Sequence, residues 1–236
     1  MLINNINFST KICGRFSEAM KIGIIGQGFV GNAVFQTFKN FYDIFTYDIK
    51  NELSNSSLDK IKRTCEIVFI CVPTPMKDDG SQDLSILEKV FEQISSAEID
   101  ASIILKSTVT PNNLSILSKK QEFVYNPEFL REKTAEEDFI NAKIILFGGQ
   151  QELCKKASNF YLNHTLCKQK DHLITDMITS SFVKYSINSF LATKVIFFNQ
   201  LKKVFEESNL DANWEEFLKI ISLDNRIGES HMQVPG

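Results

Sequence analysis

The sequence predicts an α/β fold, a doubly wound parallel sheet followed by one long helix, and three observations carry that expectation. Between Lys21 and Gly149 short β-branched runs alternate with helical stretches, the pattern of parallel strands joined by helical crossovers. A glycine-rich turn closes the first of those runs. From Asp176 to Ser208 the chain carries neither Pro nor Gly and is apolar on most sides.

The predicted strands are KIGIIG at 21–26, DIFTYD at 43–48, EIVFICV at 66–72, ASIILKS at 101–107, FVYN at 123–126 and KIILFGG at 143–149. Loops rich in Gly, Pro, Ser or Asp follow most of them. In an open α/β sheet the ligand sits at the carboxyl ends of the strands, so the chemistry is sought on those loops. The stretch 176–208 is expected as one long, largely buried helix, with Lys194, Lys202 and Lys203 on solvated faces. A second helix is expected around ANWEEFLKIIS, before a turn at DNRIG.

Composition narrows the partners. With 236 residues, 43% of them hydrophobic, the chain can bury a large core. A formal net charge of -3 with interspersed signs supplies no basic stripe for nucleic acid and no polybasic membrane patch. No apolar run reaches the length of a membrane span. A small-molecule partner is expected instead. The cysteines (Cys13, Cys65, Cys71, Cys154, Cys167) are odd in number and contain no C-x-x-C pair, which argues against a disulfide framework or a zinc site and for a reducing cytoplasm. His164, His172 and His231 form no metal-ligand spacing, so no metal is expected. Residues 1–19 lack the apolar core of a signal peptide. They are read either as an extension before a natural start at Met20 or as a short native arm.

The glycine turn is more specific. Gly26, Gly28 and Gly31 stand in G-x-G-x-x-G spacing after an apolar strand and before a helical stretch. The first glycine makes the turn, the second admits a pyrophosphate, and the third lets helix and strand pack closely. Phe29 and Val30 belong to the same loop and are counted among the cofactor contacts. Asp48 closes the next strand at the usual distance for a carboxylate that binds the ribose 2'-hydroxyl and repels a 2'-phosphate. A Rossmann-like NAD site is expected, although Lys50 leaves a cation nearby that tolerates phosphate.

Further loops go beyond a generic dinucleotide fold: FICVPTPM at 69–76, LKSTVTPNN at 105–113, YNPEFLREKTAEEDF at 125–139, KYSINSFLATKVIFFNQL at 184–201 and DNRIG at 224–228. Together they make the chain from Lys21 to Gly236 similar to the UDP-glucose/GDP-mannose dehydrogenase family. That resemblance implies NAD-dependent oxidation of the C6 alcohol of a nucleotide sugar, UDP-glucose first, to a carboxylate through a cysteine thioester. The long helix carries more apolar surface than one side of a single domain would cover, so a homodimer built largely on it is expected.

By resemblance, Thr74 and Thr108 lie against the cofactor, with Thr108 beside the reacting alcohol. Glu128 assists deprotonation and thioester hydrolysis, and Glu132 lies near the nicotinamide or the sugar. Phe129 and Leu130 line the substrate, Lys184 and Asn188 stabilise an oxyanion, and Arg226 reaches a partner's sugar site. The residue types suit these roles. Glu128 and Glu132 are four apart and share a face if the segment is helical, as do Lys184 and Asn188. The sequence departs from the family pattern at Asn112 and Asn113, where a glycine is common, at Lys133, also a frequent glycine, and at Ser181, a frequent glutamate.

The resemblance further implies an NAD-binding domain at 20–175 and, at 176–236, the long helix and the start of a dimerisation region. The chain is then expected to be the amino-terminal portion of a longer enzyme, with none of its five cysteines at the nucleophile's position. Two rivals stand beside this reading. One is a relative of the 3-hydroxyacid dehydrogenases, which also pair a dinucleotide loop with a K-x-x-x-N helix; the other is a non-catalytic NAD-binding or dimerising fragment.

Overall fold

The computed structural model describes residues 20–95, 101–163, 165–208 and 211–235. The expected strands form as β1 (Lys21–Ile25), β2 (Asp43–Tyr47), β3 (Ile67–Ile70), β4 (Ser102–Leu105), β5 (Val124–Tyr125) and β6 (Leu146–Gly148). A seventh, β7 (Leu173–Thr175), was not expected; it is short and mostly exposed, so it carries little apolar signal. Between them run α1 (Phe29–Phe38), α2 (Leu58–Thr64), α3 (Ser85–Ser95), α4 (Pro111–Leu117), α5 (Ala135–Ile140) and α6 (Gln151–Asn163). Two helices follow the sheet, α7 (Met177–Glu207) and α8 (Trp214–Ile221).

The strand order is β2-β1-β3-β4-β5-β6-β7. Strands β1 to β5 are parallel, but β6 runs antiparallel to β5 and β7 parallel to β6. The sheet is therefore not wholly parallel as expected. The segment leaving β5 makes no complete crossover, because α5 packs on α1 and the chain re-enters the sheet from the end where β5 stopped.

Side chains alternate between two cores, as the pleat requires. Ile22 and Ile24 of β1, with Ile67 and Phe69 of β3, face an aromatic core containing Phe38, Phe160 and Tyr161. Ile25, Val68 and Ile70 face the opposite core, against Ile61, Leu87 and Leu114 from α2, α3 and α4. The turn from β1 to α1 is tighter than either. Gly26 has φ +90°, and a Cβ placed on Gly31 would stand 1.9 Å from the Gly26 carbonyl oxygen.

Helix α7 matches its expected bounds within one residue. Asp176 caps its start by accepting a hydrogen bond from the Thr179 amide at 2.8 Å. Its expected burial is not met: within the chain only Ser180, Ser181, Lys184, Lys194 and Phe198 are buried. Phe182, Phe190, Phe197 and Val204, at near-heptad spacing, are 53–64% exposed, because no described element packs on that side. Lys194 also departs from expectation. It is buried and donates to the carbonyls of Ile227 at 2.7 Å and Gly228 at 3.1 Å, which fixes the DNRIG turn against the helix. Lys202 lies 5.0 Å from the Trp214 ring centroid, half-buried, whereas Lys203 is exposed.

Replacing Gly31 by Ala is expected to destabilise the fold by about 2 kcal/mol, since backbone cannot move aside as a side chain can. Gly28→Ala, where an added Cβ meets nothing within 4 Å, is expected to stay within about 0.5 kcal/mol of the parent. Urea unfolding midpoints of the two variants check this contrast.

Candidate functional site

The order of the sheet reverses between β1 and β3, and a cleft of about 520 Å³ opens at their carboxyl ends. Its walls come from loops after successive strands. Asp48 follows β2, Gly26 and Gly28 follow β1, Thr74 follows β3, Lys106 and Thr108 follow β4, and Glu128 follows β5.

At the β1–β2 end the site is built from backbone. Gly28 is the N-cap of α1 and makes no side-chain cap, so the first amides of the helix, including Phe29 and Val30, are available to an anion. The open space over Gly28 is what a pyrophosphate needs. The Asp48 carboxylate accepts from the Gln27 amide at 2.7 Å and from the Lys50 amide at 2.9 Å, which locks it between the two loops. A carboxylate has about four lone-pair positions, so acceptor capacity is left over for ribose hydroxyls. These residues fit the NAD the sequence points to.

At the middle of the cleft, Thr74 does more than border the space. Its hydroxyl donates to the Thr108 carbonyl at 2.6 Å, and Gln82 Nε2 donates to the same carbonyl at 2.8 Å. Gln82 Oε1 in turn accepts from the Thr110 amide and from Asn113 Nδ2, both at 3.1 Å. The asparagine that replaces a common glycine is thus part of a polar clamp on the Thr108 turn. Sequence reasoning missed Gln82, whose only signal is a long amide among short turn residues.

The β5 end holds the buried charge. Lys184 donates to the Glu128 carbonyl and to Glu128 Oε1 at 3.1 Å, with side chains only 3% and 10% exposed. Glu128 Oε2 accepts from the Leu130 amide at 2.6 Å, and the Phe129 ring lies under the ammonium at 5.3 Å. Residues 128–130 are irregular chain and no helix, so Glu128 and Glu132 share no helical face. Glu132 is exposed on a separate short turn and lines a neighbouring depression with Phe29 and Asn32. Arg131 closes that segment through an ion pair to Asp138 at 2.7 Å, whose carboxyl it holds down at about 2.

Other expected partners separate. Asn188 is exposed one turn along from Lys184, and Ser181 is buried and donates to the Val109 carbonyl at 2.7 Å. Arg226 projects outward and pairs with Asp224 of its own turn. His172 is half-buried, 2.8 Å from Ser158 Oγ, while His164 and Cys13 lie outside the described residues.

Lys106 in the cleft wall and Asn126 behind it were not singled out in the sequence. Lys106 is buried and donates to Asn126 Oδ1 at 2.9 Å and the Asn126 carbonyl at 3.3 Å. Asn126 Oδ1 also accepts from Tyr161 at 2.9 Å, and Asn126 Nδ2 donates to the Leu146 carbonyl at 2.8 Å. A lysine ending an apolar strand was the available signal. Burial pushes the Cys71 thiol at the cleft edge up to about 12 and Cys154 to about 11; it also raises Cys65 and Cys167. All four are protonated thiols near neutral pH. Among the described residues no group of three His, Cys, Asp or Glu is placed to hold a metal, and no helix is long and apolar enough to cross a membrane.

Comparison with known proteins converges on one family. A family model described as the NAD binding domain of the UDP-glucose/GDP-mannose dehydrogenase family matches residues 44–164, and that of its central domain matches 178–236. A UDP-glucose 6-dehydrogenase of Rickettsia felis is 34% identical over 204 residues, which cover 81% of this chain and 42% of that protein. One from Rickettsia bellii is 37% identical over 191 residues, covering 75% and 42%. The chain thus spans 42% of the length of these curated relatives. The solved UDP-glucose dehydrogenase of Pyrobaculum islandicum shares the fold with a TM-score of 0.75 at 23% identity, covering 93% of this chain and 60% of that one.

The buried pair makes a specific prediction. Lys184→Met should destabilise the chain by roughly 3 kcal/mol, because it strands the Glu128 carboxylate without its cation. Adding Glu128→Gln should recover more than half of that loss. Additive effects in a double-mutant cycle, measured by urea unfolding, would exclude the coupling.

Proposed function

Because the chain belongs to the UDP-glucose/GDP-mannose dehydrogenase family, we propose that it forms the cofactor half of an enzyme that oxidises the C6 alcohol of a nucleotide sugar, with UDP-glucose as substrate. NAD is the cofactor, held by the glycine turn, the start of α1 and Asp48; when bound it supplies a hydride acceptor. The observation that carries the proposal is the Lys184–Glu128 pair, which joins elements far apart in the chain and whose carboxylate residue lines the cofactor cleft.

In this reading Glu128 moves the proton of the substrate hydroxyl, and Lys184 stabilises negative charge on the reacting oxygen in a site that excludes water. Thr108, set by Thr74 and Gln82, orients the alcohol. Asn188 meets the substrate from the mouth, and Phe129, Leu130 and the exposed Glu132 border its path. Family membership stands against the 3-hydroxyacid dehydrogenase reading. The four described thiols, all held protonated, support the reading that the residues given bind cofactor without completing thioester chemistry.

The partner is a second copy of the chain. Phe182, Phe190, Phe197 and Val204 form an apolar stripe along α7 of the kind two helices bury together, and Arg226 then extends toward the other copy's sugar site. We place the protein in the cytoplasm, where free thiols are stable.

Calorimetry should give NAD an affinity at least about tenfold above NADP, a preference lost in Asp48→Ala. Gly28→Ala, though stable, should bind NAD weakly. Mixing the chain with NAD and UDP-glucose should yield no UDP-glucuronate; robust production would require a nucleophile among the cysteines present.

Sedimentation should show a dimer at micromolar concentration, converted to monomer by Phe190→Glu with Phe197→Glu. A monomeric parent chain would remove the dimer from the proposal.

A further inference from the structure

Lys106 is a buried cation that the proposed chemistry leaves unused. It directly follows β4, is 3% exposed, and lines the cofactor cleft beside Thr108. Its two hydrogen-bond acceptors, both on Asn126, are neutral, and the Phe139 ring lies 4.9 Å away. The titratable groups facing it come from four other segments: Cys71 after β3, Glu128 after β5, Cys167 after α6 and Lys184 on α7. Glu128 is already paired with Lys184. Among the described residues no carboxylate forms an ion pair with Lys106.

The strand order says which part of the cofactor meets this charge. Asp48 takes a ribose at the end of β2, and the start of α1 takes the pyrophosphate at the end of β1. The nicotinamide half must then cross the ends of β3 and β4, where Thr74, Lys106 and Thr108 form the wall of the same cleft. Oxidised nicotinamide carries a positive charge on its ring and reduced nicotinamide carries none. The pyrophosphate charge is common to both forms and cancels in their ratio.

We propose that Lys106 discriminates between the oxidised and reduced cofactor: oxidised NAD, binding in the cleft that Lys106 lines, expels a proton from the ammonium held on Asn126 behind that wall, and NADH does not. The step breaks one N–H bond, leaves the electron pair on nitrogen and delivers the proton to solvent. Like charges in a dry site repel strongly, so the neutral amine is the better neighbour for the cationic ring. Deprotonation leaves the scaffold intact, because an amine still has two N–H groups for its two acceptors on Asn126. Burial already brings the Lys106 pKa down to about 8, whereas burial raises those of Cys71, Cys167 and Tyr161 and keeps them protonated.

The sign follows. The oxidised ring lowers the Lys106 pKa further in the complex, so affinity for oxidised NAD rises as pH climbs through about 8 and then levels off. Affinity for NADH stays level over the same range. This inference rests on NAD occupying the cleft.

Calorimetry on the intact chain with oxidised NAD and with NADH tests it. The ratio of the two Kd values, oxidised over reduced, should fall on the order of tenfold between about pH 6.5 and about pH 9. Titrations in buffers of different ionisation enthalpy should show a proton released with oxidised NAD and none with NADH. Lys106→Gln should make the ratio independent of pH. Lys106→Arg, which cannot deprotonate, should hold it at its low-pH value throughout. A pH-independent ratio in the parent chain, equal proton release by both forms, or an unchanged slope in Lys106→Gln overturns the proposal. If Lys106→Gln does not fold, proton release in the parent and the Lys106→Arg ratio decide. Failure of both forms to bind at any pH would overturn the cofactor reading itself, and this inference with it.

Discussion

Lys184 crosses from the second turn of α7 to the loop after β5 and ends on Glu128, with both side chains almost out of water. Removing two charges from solvent costs several kcal/mol each, and only close, multiply bonded geometry offsets it. The surrounding structure supplies that geometry. The Leu130 amide donates to the second carboxylate oxygen, Phe129 lies under the ammonium, and the Glu128 carbonyl accepts a further hydrogen bond from the lysine. The helix is held in position by Asp176 at its cap and by Ser181 on the Val109 carbonyl. The first turns of α7 are thus tied to the sheet, and the rest of its length extends beyond it. That geometry exposes the apolar stripe from Phe182 to Val204.

The same constraint explains why so much polar structure lies beneath the strand ends. Loops after β3, β4 and β5 have to meet without a helix between them, and hydrogen bonds join them: Thr74 and Gln82 on the Thr108 carbonyl, Lys106 on Asn126, and Asn126 on Leu146. Each bond contributes only about 1 kcal/mol net, but an unmade one in this setting costs more. The network therefore specifies one arrangement of the loops more than it adds stability. Lys194 does a similar service at the far end of α7, where two backbone carbonyls hold the turn from which Arg226 projects.

The cofactor end differs in kind. It consists of backbone amides, a glycine that leaves space and one carboxylate tied to backbone on both oxygens. Little there depends on distant side chains, so that end of the cleft can form independently of the loop after β5. Buried charge in the cleft is concentrated at the other end, in Lys106, Lys184 and Glu128.

This division also sets what could be read from the amino acids alone. The glycine turn, Asp48, strands β1 to β4 and the span of α7 were all legible. Each rests on local rules: glycine spacing at a turn, the alternation of apolar runs with helical stretches, and the absence of Pro and Gly over a long stretch. The motif-bearing loops revealed the family, and Glu128 and Lys184, both singled out in the sequence, meet in an ion pair. The reversal at β6, the strand β7, the burial of Lys194 and the exposure of Asn188 and Glu132 were not legible. Nor were the Gln82 clamp and the contacts of Lys106. These depend on which surfaces meet when residues dozens of positions apart come together, as Lys184 and Glu128 do across 56 positions. Local pattern selects backbone conformation and an apolar face; burial of a lysine or pairing of a carboxylate is decided only by what packs against it.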